Sequence, residues 1–318
     1  MKYIIIGLKI VAVPVVYALF LRFVFDIDKW DELFSVMTTS FLFCVPFATG
    51  AITILLSPRE QREDLTYTVL MPWLPIIAFL IITLFFSVEG WACWVMALPL
   101  FLGAASIGGL VARYYIRKNK NKNVYSSIIL LLPLMLSPIE NWIGAHKQTY
   151  TAYTSIDIHA NADKIWNNVT RVKAIPEAGD KGWLTRFLGF PRPIQAELNY
   201  EGVGAYRKAI FTNGLVFHET VSAYEHQKKM VFSIKAYPHE IPSTTMDEHV
   251  VIGGKFFDVL NGTYELEKLD EHTYRLHLYS HFTLNTTFNF YAGWWAKWIM
   301  KDIQNNILQV EKSRAEQS

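Results

Sequence analysis

Cysteine is nearly missing from these 318 residues: there are two, Cys44 and Cys93, both inside apolar runs. They can build neither a disulfide framework nor a zinc-type cluster. Histidine is missing from the first 145 positions; all nine lie from His146 onward. Excess charge is missing as well. The formal net charge is +2, so a broad nucleic-acid surface is not implied and no nucleic-acid partner is expected. There is no nucleophile elbow, no P-loop and no GxGxxG fingerprint, since "GVG" at Gly202 to Gly204 reads as a turn. Nothing in the sequence requires a metal, a nucleotide or a redox cofactor, and none is expected.

What is abundant is apolar surface. Hydrophobic residues make up 52% of the chain, and the mean hydropathy is +0.18. That is too apolar for an average soluble protein and too polar for a pure membrane bundle, so a membrane part joined to a soluble domain is expected. The uneven histidine distribution divides the chain in the same way.

Five apolar segments precede residue 143: about 3–25, 33–56, 68–87, 91–112 and the shorter "VYSSIILLLPLMLSPIENW". The first four have about 20 residues each, enough to cross a hydrocarbon core of about 30 Å. The fifth contains Pro133 and Pro138 and spans only if Tyr125 and Trp142 sit at the two interfaces; a re-entrant or interfacial segment is the alternative. The first segment lacks a small-x-small cleavage site and is interrupted by Lys9 and Arg22, so it reads as an uncleaved helix. "GAASIGG", Gly103 to Gly109, offers small residues for close helix packing.

Loop charge orients the bundle. "SPREQRED" and "RYYIRKNKNKN" carry Arg59, Arg62, Arg113, Arg117, Lys118, Lys120 and Lys122, whereas "DIDKWDE" is acidic and the link at Glu89 has no basic residue. The positive-inside rule puts the N-terminus and both basic loops on the cytoplasmic side, and a bacterial inner membrane is the expected location. With five spans the chain after residue 143 is extracytoplasmic; with four it is cytoplasmic. The expected domains are a helical membrane domain at 1–143 and a soluble domain at 144–318.

From "YTAYTSIDIHA" onward, long runs give way to alternation. "NADKIWNNV" reads as a short helix capped by Asn161, and "GWLTRFLGF" as part of a second. Strands are expected in "IQAELNY", "GAYRKAIF", "LVFHETVSAYE", "KMVFSIKAY", "EHVVIGG", "GTYELEKL" and "TYRLHLYSHFTL". The last element, "YAGWWAKWIMKDIQNNILQVEKSR", is one long amphipathic helix. Trp295, Ile299, Ile303 and Ile307 recur at four-residue spacing and predict the buried face, while Lys297, Lys301, Gln304, Asn305 and Glu311 predict another. Trp294, at the edge of the apolar face, is left to reach lipid or a cavity entrance.

The order "IDIHANADKIWNNV", "HETVSAYEHQKKMVFSI", "GTYELEKLDEHTYRLHLYS" and closing helix resembles the SRPBCC superfamily, the START-like polyketide cyclase/dehydrase and lipid transport proteins. The resemblance covers roughly residues 150–314 and leaves the membrane half outside. It implies an α+β helix-grip fold, a curved antiparallel sheet around the long helix, with a cavity between them that takes a hydrophobic small molecule or lipid. The cavity lining it points to is Phe217, Glu219, Phe232, Ile234, Leu276, Leu278, Phe282, Trp295, Trp298 and Ile299.

Three functions are compatible with that outline. The first is membrane-anchored binding or transfer of a hydrophobic molecule or lipid. The second is a cyclase- or dehydratase-type enzyme using Glu219, a carboxyl that alternation puts beside Phe217 and Val221 and that can equally be held by an arginine such as Arg207 or Arg275. The third is a regulatory or assembly module that meets a protein partner. The segment "AYPHEIPSTTMDEHVVIGG" gathers His239, Glu240, Asp247, Glu248 and His249, but its prolines predict a solvated loop, a cavity cap or a partner contact rather than a metal site.

Overall fold

A computed structural model of the chain describes residues 2–30, 32–118, 123–176, 179–237, 239, 241 and 251–317. The chain divides into two compact units. One takes the chain through His146 together with Thr286–Phe288; the other comprises Lys147–Asn285 and the chain from Asn289 onward.

The first unit is helical: α1 (Lys2–Val24), α2 (Val45–Leu56), α3 (Arg59–Arg62), α4 (Leu65–Leu70), α5 (Trp73–Phe85), α6 (Trp91–Lys118) and α7 (Asn123–Ile143). Three runs are long and apolar enough to cross a membrane: Ile6–Val24, Leu65–Phe85 and Trp91–Lys118. The other two expected spans are shorter apolar helices, Ser40–Leu56 and Ser127–Ile143. The second starts late because local polar bonds hold the chain before it in turns. Thr38 Oγ1 donates to Ser35 O at 2.7 Å and accepts from Phe41 N. The Glu140 carboxylate then accepts from Thr39 N at 2.6 Å and Ser40 N at 2.7 Å, capping the first turn. Pro133 and Pro138 lie inside α7 without ending it.

Packing in this unit follows small residues. A side chain on Gly108 would collide with the Phe47 carbonyl, and one on Gly50 with that of Ala105, so α2 and α6 meet backbone to backbone. Buried hydroxyls return to their own helix: Thr49, Thr53 and Ser57 donate to the carbonyls four residues back at 2.7–2.8 Å. Arg22 is buried between Glu89 at 2.5 Å and Asp26 at 2.8 Å. The outside is apolar, with Leu8, Val16, Phe20, Ile81, Phe85, Ile107 and Met135 exposed.

The second unit has the element order β1 (Gln148–Ile158), α8 (Ala162–Thr170), α9 (Trp183–Leu188), β2 (Pro193–Leu198), β3 (Tyr206–Phe211), β4 (Val216–Glu225), β5 (Lys229–Lys235), β6 (Phe257–Lys268), β7 (Tyr274–Leu284) and α10 (Asn289–Gln317). The strands form one antiparallel sheet in the order β1-β7-β6-β5-β4-β3-β2. Register shifts at Val221/Ala223 and Val259/Asn261 add local twist and help the sheet curl. It is a half-barrel closed by the C-terminal helix, which is the helix-grip arrangement.

Alternation sets the faces. Leu276, Leu278, Ser280 and Phe282 of β7 are buried, while His277, Tyr279 and His281 lie on the other face. Gly293 lets α10 approach the sheet, since a Cβ there would sit 2.9 Å from the Tyr150 ring. Two expectations change. Asn161 occupies the cap position of α8, but its side chain makes no capping bond. In "EHVVIGG", residues 248–250 lie outside the described residues, and Ile252 makes only an isolated bridge to Phe257; the expected strand does not form among the described residues.

Candidate ligand site in the sheet-and-helix unit

The inner face of the sheet carries charge in an apolar setting. Arg207 on β3 and Glu219 on β4 are direct cross-strand partners. Both are 3% exposed, and Arg207 Nη1 donates to Glu219 Oε2. The guanidinium also lies 5.1 Å from the centroid of Phe232 and 5.9 Å from that of Tyr264, two rings that stack on each other. Burial pushes the Glu219 carboxyl up, and the Arg207 charge and hydrogen bond pull it partly back. Of the two arginines the sequence offered as partners, Arg275 is engaged elsewhere, on Asp157 at 2.7 and 3.0 Å.

Glu311 comes to the same interior from α10. It is 1% exposed, and neither carboxylate oxygen has a hydrogen-bond partner among the described residues. Burial pushes its carboxyl up to about 8, against the opposing pull of Arg314 and Arg207. Near neutral pH it therefore holds a proton and can both donate and accept. Arg207 Nε is likewise buried without a partner. Burial raises the Tyr264 phenol, which Arg207, Glu311 and Glu219 all influence. Two carboxyls, a guanidinium and a phenol thus come together, and the phenol ring of Tyr264 belongs to the apolar cluster that also holds Trp166, Ile158, Leu276 and Leu308.

Three other polar side chains on α10 are engaged, whereas Trp295 Nε1 is buried without a partner among the described residues. Gln304 Nε2 donates to Ala152 O at 3.3 Å and Ser280 Oγ at 3.1 Å, and its Oε1 accepts from Thr154 Oγ1 at 3.2 Å. Asp302 accepts from Thr185 N at 2.9 Å and Thr185 Oγ1 at 2.8 Å, fastening the start of α9. Asn306 accepts from Lys181 N at 2.7 Å and donates to Asp180 at 2.9 Å. Against that background the bare oxygens of Glu311 stand out.

The ten residues expected to line a cavity fall in three places. Phe232, Leu276 and Leu278 pack around Trp166, and Phe217 and Phe282 pack with Ala152 and Val259. Ile234 touches both clusters, and Glu219 is in the ion pair. Trp295 is buried, Ile299 is half-buried, and Trp298 is 36% exposed in a stack with Trp295 and Trp294. Gln304 and Glu311, which the sequence assigns to an outward face of the helix, are buried. Steps of four residues advance about 40° beyond a full turn, so the 295–299–303–307 series drifts around the helix. Trp295 is buried and Ile303 and Ile307 pack against the core, and the stripe Gln304, Leu308, Glu311 and Ala315 lies inside as well. In the segment "HEIPSTTMDEH" and the residues beside it, His239 and Ile241 are described; Pro238, Glu240 and residues 242–250, among them Asp247, Glu248 and His249, lie outside the described residues. Among the described residues no group of three histidine, cysteine or acidic side chains gathers as a metal site.

No family model and no curated protein matches the sequence. Solved structures similar to part of the chain include the Zhui aromatase/cyclase from Streptomyces, at 13% identity over 54% of this chain and 95% of that one, with a TM-score of 0.34. A START superfamily protein from Mycobacterium smegmatis is 9% identical over 52% and 97%, also at 0.34. A truncated norcoclaurine synthase from Thalictrum flavum is 12% identical over 52% and 94%, at 0.31.

Proposed function

We propose that this protein is a membrane-anchored binder of a hydrophobic small molecule or lipid, which it holds between the curled sheet and α10. The observation that carries this reading is Glu311: a buried carboxyl with two unpartnered oxygens, under the influence of Arg207, in an interior whose other carboxyl, Glu219, is already paired. A core that only had to be filled gains nothing from such a group, because an unsatisfied buried polar group costs about 1–3 kcal/mol. A ligand with a long apolar body and one hydrogen-bonding end would satisfy it. The apolar body would lie along Phe217, Phe232, Ile234, Leu276, Leu278 and Phe282, with Trp295 and Ile299 along the helix and Trp298 at its exposed edge.

The membrane part of the proposal rests on the three long apolar helices and on the exposed apolar side chains of the first unit. In it the five apolar segments span, with the N-terminus in the cytoplasm and the domain from residue 144 outside. A catalytic reading would fall on Glu311 rather than Glu219, because Arg207 already engages Glu219. Nothing in the geometry favours turnover over binding.

Mass spectrometry of small molecules released from the purified full chain tests the ligand. A stoichiometric lipid or apolar metabolite is expected, lost on Glu311→Leu with the fold retained. Recovery of no bound molecule, together with no binding from a lipid panel, would sink the proposal. A reporter fused after the C-terminus checks the span count: activity only in the cytoplasm would refute five spans.

A further inference from the structure

Three tryptophans fall within five positions at the start of α10, and a fourth joins them from α9. Ring centroids are 5.0 Å apart for Trp294 and Trp295, 5.2 Å for Trp294 and Trp298, 5.4 Å for Trp295 and Trp298, and 5.8 Å for Trp183 and Trp298. Trp295 faces inward, but Trp183 is 60% exposed, Trp294 56% and Trp298 36%. The stack does not wander. Asp302 holds the α9 backbone through Thr185, and Asn306 holds Lys181 and Asp180. At Gly182 a Cβ would sit 3.3 Å from Asp302 Oδ2 and 3.5 Å from Asn306 Nδ2, so the turn into α9 lies close on α10 at this point.

The charges around these rings have one sign at the surface. Lys181, Arg186, Lys297 and Lys301 are exposed. The two acids nearby are turned into the protein: Asp180 is engaged by Arg192 and Asn306 and lies 3.8 Å from the Arg186 guanidinium, and Asp302 is engaged by Thr185. Exposed indole rings with a cationic rim match the headgroup level of an anionic bilayer. The ring body enters the acyl boundary, the indole N–H stays with water and headgroups, and lysine stems reach the phosphates. A protein partner of ordinary composition would not call for a rim of cations alone.

We propose that the Trp183–Trp294–Trp298 face, with Lys181, Arg186, Lys297 and Lys301, docks on the surface of an anionic phospholipid bilayer. The inference deepens the membrane-anchored binding reading, on which it rests. It names the surface through which the binding unit meets lipid. It also explains why the start of α10 exposes Trp294 and Trp298 beside the buried Trp295, whereas its later turns face inward with Gln304, Leu308 and Glu311.

The test uses the full chain in proteoliposomes of phosphatidylcholine and phosphatidylglycerol, in a background without Cys44 and Cys93. A spin label on Lys301→Cys reports depth through its accessibility to oxygen against a water-soluble nickel complex, and a label on Lys268→Cys serves as the distant control. Position 301 is expected at headgroup depth and position 268 in water. Arg186→Glu with Lys297→Glu should lower the docked-to-free ratio roughly 25-fold or more, at about fivefold per cation near an anionic leaflet. Trp294→Ala with Trp298→Ala should also release the label; the charge variant, confined to exposed positions, keeps the test valid if the tryptophan variant misfolds. A label at 301 as water-exposed as the one at 268 overturns the inference. So does a depth unchanged by the charge variant. Dipolar broadening between two 301 labels, without a depth signal, would overturn it in favour of a second copy of this chain. None of these readouts requires ligand, so a docked protein that carries no molecule would sink the ligand reading and leave the docking intact.

Discussion

Replacing Glu311 with glutamine removes one proton site and little volume, and the consequence depends on pH in a fixed direction. The ordinary carboxyl titrates at 4.5, and burial moves this one to about 8. Between those values the unfolded chain has lost the proton and the folded chain keeps it, so folding stability falls as pH rises. Each pH unit in that window is worth about 1.4 kcal/mol, reaching about 3 kcal/mol at pH 7 and about 5 kcal/mol once pH passes 8, where the penalty levels off. Below 4.5 both states are protonated and the penalty vanishes. Arg207 and Arg314, which pull the carboxyl down, and the neighbours Glu219 and Tyr264 are unchanged in Glu311→Gln, so they largely cancel in the comparison. The amide of glutamine brings its own unsatisfied groups, but that cost does not vary with pH.

Native-state hydrogen exchange of β6 and β7 peptides in the full chain measures the difference without requiring the two units to unfold together. Comparing both proteins at the same pH cancels the intrinsic pH dependence of exchange. Exchange in the unsubstituted chain should gain on the variant by about tenfold per pH unit between pH 5 and 8. A ratio that stays flat over this range would show that Glu311 is solvated or paired, and the argument for the site would fail with it.

Two other perturbations follow from the packing. Arg207→Met leaves Glu219 buried without its partner and should cost about 3–5 kcal/mol, whereas Arg207→Met with Glu219→Met should recover most of that loss; denaturant titration of the three variants decides it. In the helical unit, Gly108→Ala forces α6 off the Phe47 carbonyl and should cost about 1–3 kcal/mol, read as a lower thermal midpoint in detergent, with Gly103→Ala as the open-space control.

Much of the second unit was legible because its signals are local. Period-two alternation marked the inner residues Phe217, Glu219, Phe232, Leu276, Leu278 and Phe282, and the turn signals marked most strand ends. What escaped was three-dimensional. Glu311 reads as a polar residue on a polar face until the start of α10 is fixed. Its spacing of three from Leu308 and seven from Gln304 was the available signal, masked by the more apolar series through Ile299 and Ile303. Tyr264 drew no notice, since an aromatic in a strand says nothing about a charge above its ring. In the first unit, segment length depends on where polar caps stop a helix. The Glu140 carboxylate that begins the Ser40–Leu56 helix comes from about 100 positions away.

The state of Glu311 also separates classes of ligand. Gln304 and Glu311 share one face of α10, yet the first has all its contacts supplied by β1 and β7 and the second has none. The fold does not need a carboxyl there, and above pH 5 it is less stable for having one. A ligand that binds only the folded chain offsets such a penalty by mass action. Its chemistry then appears in the titration. A hydroxyl, ether or carbonyl that accepts the Glu311 proton stabilises the neutral acid, so the carboxyl titrates still higher in the complex. An amine or quaternary ammonium stabilises the carboxylate and brings the titration down toward the ordinary range. An acidic headgroup would approach the Arg207 guanidinium and, as a second negative charge, would again raise Glu311. Infrared titration of the protonated carboxyl, with Glu311→Gln as the blank, reads that direction with and without the co-purified molecule. A complex in which Glu311 titrates as it does in the free protein would mean that the ligand's polar end lies elsewhere.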